Sequence, residues 1–274
     1  MTTTPPISVL MTQLYQDDGI FIAQTHAGEF DKFDQADLYG EFNLGLHVKD
    51  KPSAVLLRRA ALLDQLNQST QSRIDHIYWL NQVHGDTVID VDDVASTLSA
   101  HSADALISHQ AGQALAIMTA DCVPVVIFGD ANDGIACIHA GWQGLVNGII
   151  AKSFVKLNPM TNSKAIIGAC ISQAAYEIDH ALAVRICTQI SDQKLVGLNF
   201  DALFDTIIIA SDCQDKVKID IVKLARLELE HLGISVINDS VACSYQDANL
   251  YSYRAQTHAA KPATGRMAMI VAKV

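Results

Sequence analysis

Charged side chains are scarce in this sequence, only 18% of its 274 residues, while 50% are hydrophobic. That balance excludes a disordered or fibrous chain and fits a globule with a substantial core. The apolar residues never gather into the uninterrupted run of roughly 18–20 needed to span a bilayer, so no membrane partner is expected. Residues 1–14 lack a basic start followed by an apolar stretch, so no secretory signal is read there. The six cysteines (122, 137, 170, 187, 213 and 243) stand singly, without the close pairs of a disulfide framework or a zinc ribbon. Buried reduced thiols and a cytoplasmic location are the expectation. Basic residues are also few: 19 Lys and Arg against 30 Asp and Glu give a net charge of −11. With no basic stripe, nucleic acid is excluded as the main partner. Small anions remain admissible, because a local site can oppose the global field.

No repeat, low-complexity tract or linker interrupts the chain, so residues 1–274 are expected to form a single domain. Strands are expected at 18–24, 76–83, 114–118, 123–128, 134–139, 165–171, 235–238 and 267–274. Helices are expected at 53–67 (with Pro52 in the first turn), 145–157, 181–190 and 217–232, the last stopping at Gly233. Residues 28–43 are polar and rich in Asp and Gly, and read as a long loop. Strands and helices mix without strict alternation, which predicts an α+β fold of mixed β-sheets layered with flanking helices.

Three segments share one arrangement, a buried strand ending in a reactive polar residue beside a small one. They are 81–85 (Asn-Gln-Val-His-Gly), 119–124 (Thr-Ala-Asp-Cys-Val-Pro) and 138–144 (Ile-His-Ala-Gly-Trp-Gln-Gly). Strand ends are where folds place sites, because the sheet fixes the backbone while the next residues diverge. Imidazole nitrogen and thiolate sulfur together select zinc or a similar borderline-soft ion, and three ligands leave a fourth position open. The separations between His84, Cys122 and His139 match no local finger spacing. By residue chemistry alone, hydrogen-bonded structural roles outweigh a metal site.

The same three segments resemble the signature of the laccase-domain family, also called multicopper polyphenol oxidases. Its bacterial members are described as purine nucleoside phosphorylases with adenosine deaminase activity. The resemblance continues through 42–48 (Phe-Asn-Leu-Gly-Leu-His-Val), 103–107 (Ala-Asp-Ala-Leu-Ile) and 167–171 (Ile-Gly-Ala-Cys-Ile) with Tyr176 and Glu177. It ends in 251–254 (Tyr-Ser-Tyr-Arg) and 264–268 (Thr-Gly-Arg-Met-Ala), so it covers nearly the whole chain in family order. It implies zinc held by His84, Cys122 and His139, with copper as the alternative metal, and a pocket open to a purine nucleoside and phosphate. The implied reactions are phosphorolysis of adenosine, inosine and methylthioadenosine, and deamination of adenosine. The chain departs from the family in reading His26 and Gln143 where Arg is usual, which removes two cations suited to phosphate oxygens. Arg59, Arg254 and Arg266 remain as anion partners.

Within that frame, Asp121 is expected either to shuttle a proton or to hold a ligand imidazole, with the second role favoured. Asn43, Arg59, Gln82 and Gln143 are the expected substrate-binding residues, against the ordinary alternative that such polar groups satisfy nearby backbone. Gly85, Gly141 and Gly144 are either close-approach positions or plain turn glycines. Trp142 either stacks on a base or, as favoured, packs. Two other enzyme readings stand beside the nucleoside one. A copper-dependent phenol oxidase is disfavoured, since no His-X-His pair is present. An amide hydrolase acting on cell-wall precursors would use Cys122 as a metal-free nucleophile. A non-catalytic metal-bound sensor is the third. The assembly is expected to be a monomer or small homo-oligomer.

Overall fold

A computed structural model describes residues 7–17, 19–94, 100–130, 133–158 and 162–274. Its centre is two sheets packed face to face. One has five strands in the order β1 (Met11–Gln16), β2 (Ile20–Thr25), β14 (Met267–Lys273), β6 (Gln113–Thr119) and β3 (His76–Tyr78). The other has six, in the order β13 (Ser235–Val236), β9 (Lys164–Ile167), β7 (Val123–Phe128), β8 (Ile135–Ala140), β5 (Ala105–Ser108) and β4 (Val88–Asp90). Alternate residues on each strand point to opposite faces, and here both faces are covered. Ile20, Ile22, Leu115, Ile117, Met269 and Val271 of the first sheet meet Leu106, Val126, Phe128, Ile135, Cys137 and Ile166 of the second.

The intervening residues face outward into two further cores. Phe21, Ala23, Ala114, Ala116, Ala268 and Ile270 pack on Leu62 and Leu66 of α1 (Pro52–Thr70). Val123, Val125, Ile127, Ala136 and Ile138 lie in one core with residues of five helices, α2 (Trp142–Val146), α3 (Ile149–Lys156), α4 (His180–Asp192), α5 (Phe200–Ile207) and α6 (Ile221–His231). The result is an α/β/β/α layering. Burial on both faces explains why β2, β5, β7, β8 and β14 are fully buried along their length and read as continuous apolar runs. A small sheet of β10 (Glu177–Asp179), β12 (Lys216–Ile219) and β11 (Ile208–Ala210), and a last helix α7 (Tyr253–His258), complete the chain.

The α+β class with layered mixed sheets is as expected, and so is the loop at 28–43, but several element boundaries need correction. The helix expected at 217–232 is two elements. Residues 216–219 alternate as strand β12, and α6 starts only after Asp220, whose side chain accepts from Lys223 N at 2.8 Å and caps the helix. The helix expected at 145–157 breaks where Gly148 takes φ 71°, a left-handed conformation that glycine adopts without a Cβ clash. The strand expected at 76–83 stops at Tyr78, and that at 165–171 stops at Ile167, so both end-segments are free to enter the site. Of the strand expected at 18–24, Asp18 lies outside the described residues. Elements β1, β4, β5, β10, β11, α5 and α7 were not expected. Among the described residues no helix is long and apolar enough to cross a membrane.

Candidate active site

The site forms where the chain crosses between the two large sheets. β6 belongs to one and β7 to the other, and the turn joining them carries Asp121 and Cys122. Thr119 Oγ1 closes this turn by donating to Cys122 O at 2.6 Å. Asp121 takes φ 105°, an unusual conformation for a residue with a Cβ. The antiparallel register of β7 and β8 pairs Val123 with Ala140 and Pro124 with His139, which brings His139 beside Cys122. His84, on the loop after β3, takes φ 59° and packs its ring against that of His139 at 4.8 Å and 81°. The ligand atoms of His84, Cys122 and His139 all lie within 4.8 Å of one another. His84 is exposed, Cys122 half-buried and His139 buried. A Cβ on Gly141 would meet Cys122 Sγ at 3.2 Å, and one on Gly144 would meet Gly85 O at 3.1 Å. Both therefore serve close approach; Gly85 has ordinary room, its nearest such contact being 3.6 Å.

One residue that drew no role from the sequence, although it lies in the family-like segment 103–107, organises this cluster. Asp104, fully buried at the start of β5, accepts from the backbone N–H groups of Val83 (3.3 Å), His84 (2.9 Å) and Gly85 (2.7 Å). Its Oδ1 also accepts from His139 Nδ1 at 2.8 Å. A carboxylate only accepts, so Nδ1 carries a proton and Nε2 is the nitrogen turned to the cluster, a ligand atom once it gives up any proton of its own. Burial pushes the Asp104 carboxyl up, but these bonds outweigh it and hold it below its ordinary value. The role favoured for Asp121, holding a ligand imidazole, thus belongs to Asp104. Asp121 instead accepts from Ser244 Oγ and from Arg254 N, both at 2.6 Å. The signals for Asp104 were its place in the family-like segment 103–107 and a lone acid opening an apolar run.

Electrostatics couple the thiol to the imidazoles. Burial pushes the Cys122 thiol up, yet the adjacent His139 and His84 outweigh it and bring it below its ordinary value. Burial pushes His139 down, yet the Cys122 charge and the Asp104 carboxylate raise it. Each group thus favours the charged form of the other. A thiolate and an Asp-oriented imidazole are the donor types a borderline-soft cation requires.

The cluster lies in a cavity of about 730 Å³, also lined by His47, Gln82, Trp142, Gln143, Tyr176, Tyr253, Arg254 and Arg266. Arg254 lies over the Tyr176 ring at 5.2 Å and donates to Glu177 O at 2.9 Å. Arg266 Nη1 donates to Thr264 O and Gly265 O. Burial together with Arg266, Arg59 and His84 lowers His47 to about 4, so it lines the cavity uncharged at neutral pH. Trp142 packs against the helical core, as favoured, and also lines the cavity.

Two expected substrate-binding residues lie outside the cavity lining. Asn43 is buried and spends its amide on Gly45, Asp50 and Arg266 N, pinning the 42–48 segment to the residue that leads into β14. Arg59 donates twice to Leu44 O and lies over Trp79 at 4.0 Å. Gln82 lines the cavity, but both ends of its amide bond the Met118 backbone at 2.8 Å, so it positions the loop. Gln143 lines the cavity with its side chain exposed. His26 bonds Thr12 Oγ1 at 2.7 Å and lines a separate cavity, so the cation missing there is not missing from this site.

An α/β/β/α protein with a His-Cys-His cluster at a cation-rimmed cavity belongs, by chemistry, among proteins able to hold a metal ion. The chain is a member of the multi-copper polyphenol oxidoreductase laccase family, whose model matches residues 34–273. It is 33% identical over 238 residues to a Corynebacterium glutamicum protein named purine nucleoside phosphorylase, covering 85% of this chain and 87% of that one. It is 30% identical over 236 residues to Escherichia coli YfiH, also named purine nucleoside phosphorylase, covering 85% and 86%. A crystal structure of a Neisseria meningitidis protein shares the fold, with a TM-score of 0.75 at 24% identity, covering 96% of this chain and 98% of that one.

Proposed function

We propose that this chain is a cytoplasmic, zinc-dependent purine nucleoside phosphorylase acting as one catalytic domain over residues 1–274. The observation that carries the reading is the cluster of His84, Cys122 and His139 inside a cavity large enough for a nucleoside and rimmed by Arg254 and Arg266. Relatives named for that activity support it. The substrates are adenosine, inosine and methylthioadenosine with phosphate, and adenosine is also deaminated. The enzyme works as a monomer or small homo-oligomer.

His84, Cys122 and His139 hold the ion, which when bound supplies Lewis-acid polarisation within the cavity. Arg254 and Arg266 supply guanidinium donors to phosphate oxygens, the role assigned to neither His26 nor Gln143. Gln143 faces the exposed side of the cavity and contacts substrate there. Asp121, fixed by Ser244 and Arg254 N, is the carboxylate placed to move a proton during purine departure or deamination. Trp142 and Tyr176 offer aromatic surface to the base.

The test incubates protein with adenosine, with and without phosphate, alongside His84→Ala, and separates products chromatographically. Adenine and ribose 1-phosphate that require phosphate, with turnover abolished in His84→Ala, are the expected result. Wild-type turnover in the metal-stripped protein would sink the zinc assignment. Metal analysis after growth without added copper discriminates further, since copper at the site would move the reading to phenol oxidation.

A second reading is favoured by one geometric fact, the placing of Cys122 Sγ among two imidazoles. In a metal-free protein that arrangement suits a thiolate nucleophile attacking an amide of a cell-wall precursor. Turnover of such an amide that survives chelation and disappears in Cys122→Ser is its required signature.

A further inference from the structure

We propose a second, independent divalent-metal site formed by Asp90, Asp92 and His109, at the end of the six-stranded sheet remote from Cys122. One ligand atom from each of the three residues lies within 4.8 Å of the others. Asp90 ends β4, Asp92 lies in the turn that follows, and His109 comes directly after β5, which pairs in parallel with β4. In β8, Ile135 pairs with Ser108 at this end, while His139 stands four residues along at the other. At about 3.3 Å per residue that is a separation of roughly 13 Å, so no residue is shared with the first cluster.

His109 and Asp92 are each oriented by a contact outside the trio. His109 Nε2 bonds Leu157 O at 3.2 Å. A carbonyl only accepts, so Nε2 bears a hydrogen, which leaves Nδ1, on the Asp92 side of the ring, as the nitrogen available to a cation. Nδ1 stands 3.8 Å from Asp92 Oδ2, beyond hydrogen-bond range. Gly134 backs the imidazole so closely that a Cβ there would meet His109 Cδ2 at 2.8 Å. Asp92 is fixed in turn by Ser108 Oγ (2.7 Å) and His109 N (2.6 Å), and Asp90 Oδ1 accepts from Asp92 N at 3.1 Å. Clamping of an imidazole through its second nitrogen, with the carboxylates also held by hydrogen bonds, is how metal ligands are oriented.

One imidazole and two carboxylates favour a first-row ion such as Zn²⁺ or Co²⁺ over Mg²⁺, which prefers oxygen ligands and retained water. Such an ion would tie the β4 turn to the end of β5 and, through Leu157, to the end of α3. Its role is therefore to cross-link the sheet edge.

Metal-stripped full-length protein is titrated with Zn²⁺, and bound metal is counted after gel filtration for wild type, Cys122→Ser, His109→Gln and Asp90→Asn. Circular dichroism confirms that each variant is folded. The expected result is one ion lost in His109→Gln with turnover of the enzyme kept. The remote affinity should fall about 100-fold or more, since loss of even an orienting partner costs 10–100-fold. Excess Zn²⁺ should raise the melting temperature of Cys122→Ser, and this shift should vanish when His109→Gln is added. Asp90→Asn, which touches only the turn, should reproduce the loss if His109→Gln fails to fold. Equal stoichiometry in wild type, His109→Gln and Asp90→Asn overturns the site. Because Cys122→Ser and His109→Gln are read separately, failure of the first zinc site and failure of this one give different patterns.

Discussion

Asp104→Asn should weaken zinc binding about 10–100-fold and lower activity with it, although Asp104 is not itself among the three proposed ligands. Its carboxylate receives four donors, three backbone N–H groups of residues 83–85 and the Nδ1–H of His139. An amide of the same shape turns one acceptor oxygen into an NH₂, which must then face one of those donors. Hydrogen bonds to a charged group contribute about 1.5–3 kcal/mol each, and a buried donor left unmet adds its desolvation cost. The expected loss of stability is therefore roughly 3 kcal/mol, or about 6–12 °C for a chain of this size.

The pH dependence has a definite sign. Asp104 is held below its ordinary value in the folded state, so its contribution is present above the unfolded carboxyl range and disappears as pH falls through the folded value. The variant should lose part of the wild-type acid transition. Calorimetry between pH 3 and 7 and a competitive zinc titration would check both effects. Zinc affinity equal to wild type in a folded Asp104→Asn protein would remove Asp104 from the site. The backbone bonds explain why the effect should reach His84, which has no side-chain bond to Asp104: the carboxylate holds the loop in which His84 adopts positive φ.

The reactive residues were legible in the sequence, and what holds them was not. His84, Cys122 and His139 each follow or end an apolar run, and sheets buried on both faces preserve such runs in the sequence. Their convergence was visible only through the family resemblance, because 38 and 17 residues separate them. Asp104 stayed hidden because its role depends on the approach of β5 to the 83–85 loop, a contact between segments about 20 residues apart. Asn43 and Arg59 were read as substrate partners from their polarity, yet in the fold they satisfy the backbone of neighbouring segments. The small sheet escaped for a different reason. Its strands are three or four residues long, too short for alternation to stand out from a helical repeat, and Val217 and Ile219 also fit the 3.6-residue pattern of the following helix.

That same helix contains the second large effect. The buried stripe of α6 runs Ile221, Leu224, Ala225, Glu228 and Leu229, so a carboxyl occupies a core position in a helical repeat. Glu228 is 1% exposed, and neither oxygen has a hydrogen-bond partner among the described residues. Burial raises its pKa well above the ordinary 4.5, so folding favours the protonated acid. The contribution is fully present below the unfolded value and is lost as pH rises toward the folded one. Between those limits the unfolded chain has released its proton while the folded chain retains it. Wild-type stability should therefore fall by about 1.4 kcal/mol per pH unit from this group alone.

Glu228→Met keeps the side-chain length and removes both the unmet oxygens and the proton linkage. Its gain over wild type should be smallest at pH 4.5 and larger by roughly 3 kcal/mol at pH 7, growing by about 3–6 °C in melting temperature per pH unit. Glu228→Gln should remove the pH slope but keep a buried polar amide, and so should recover less stability. Melting curves for the three proteins from pH 4.5 to 8 separate these contributions. A difference between wild type and Glu228→Met that does not change with pH would mean that Glu228 is partnered or solvated in the folded chain. A gain that grows with pH would show that α6 carries an ionisable group at real cost to stability, which packing alone does not require.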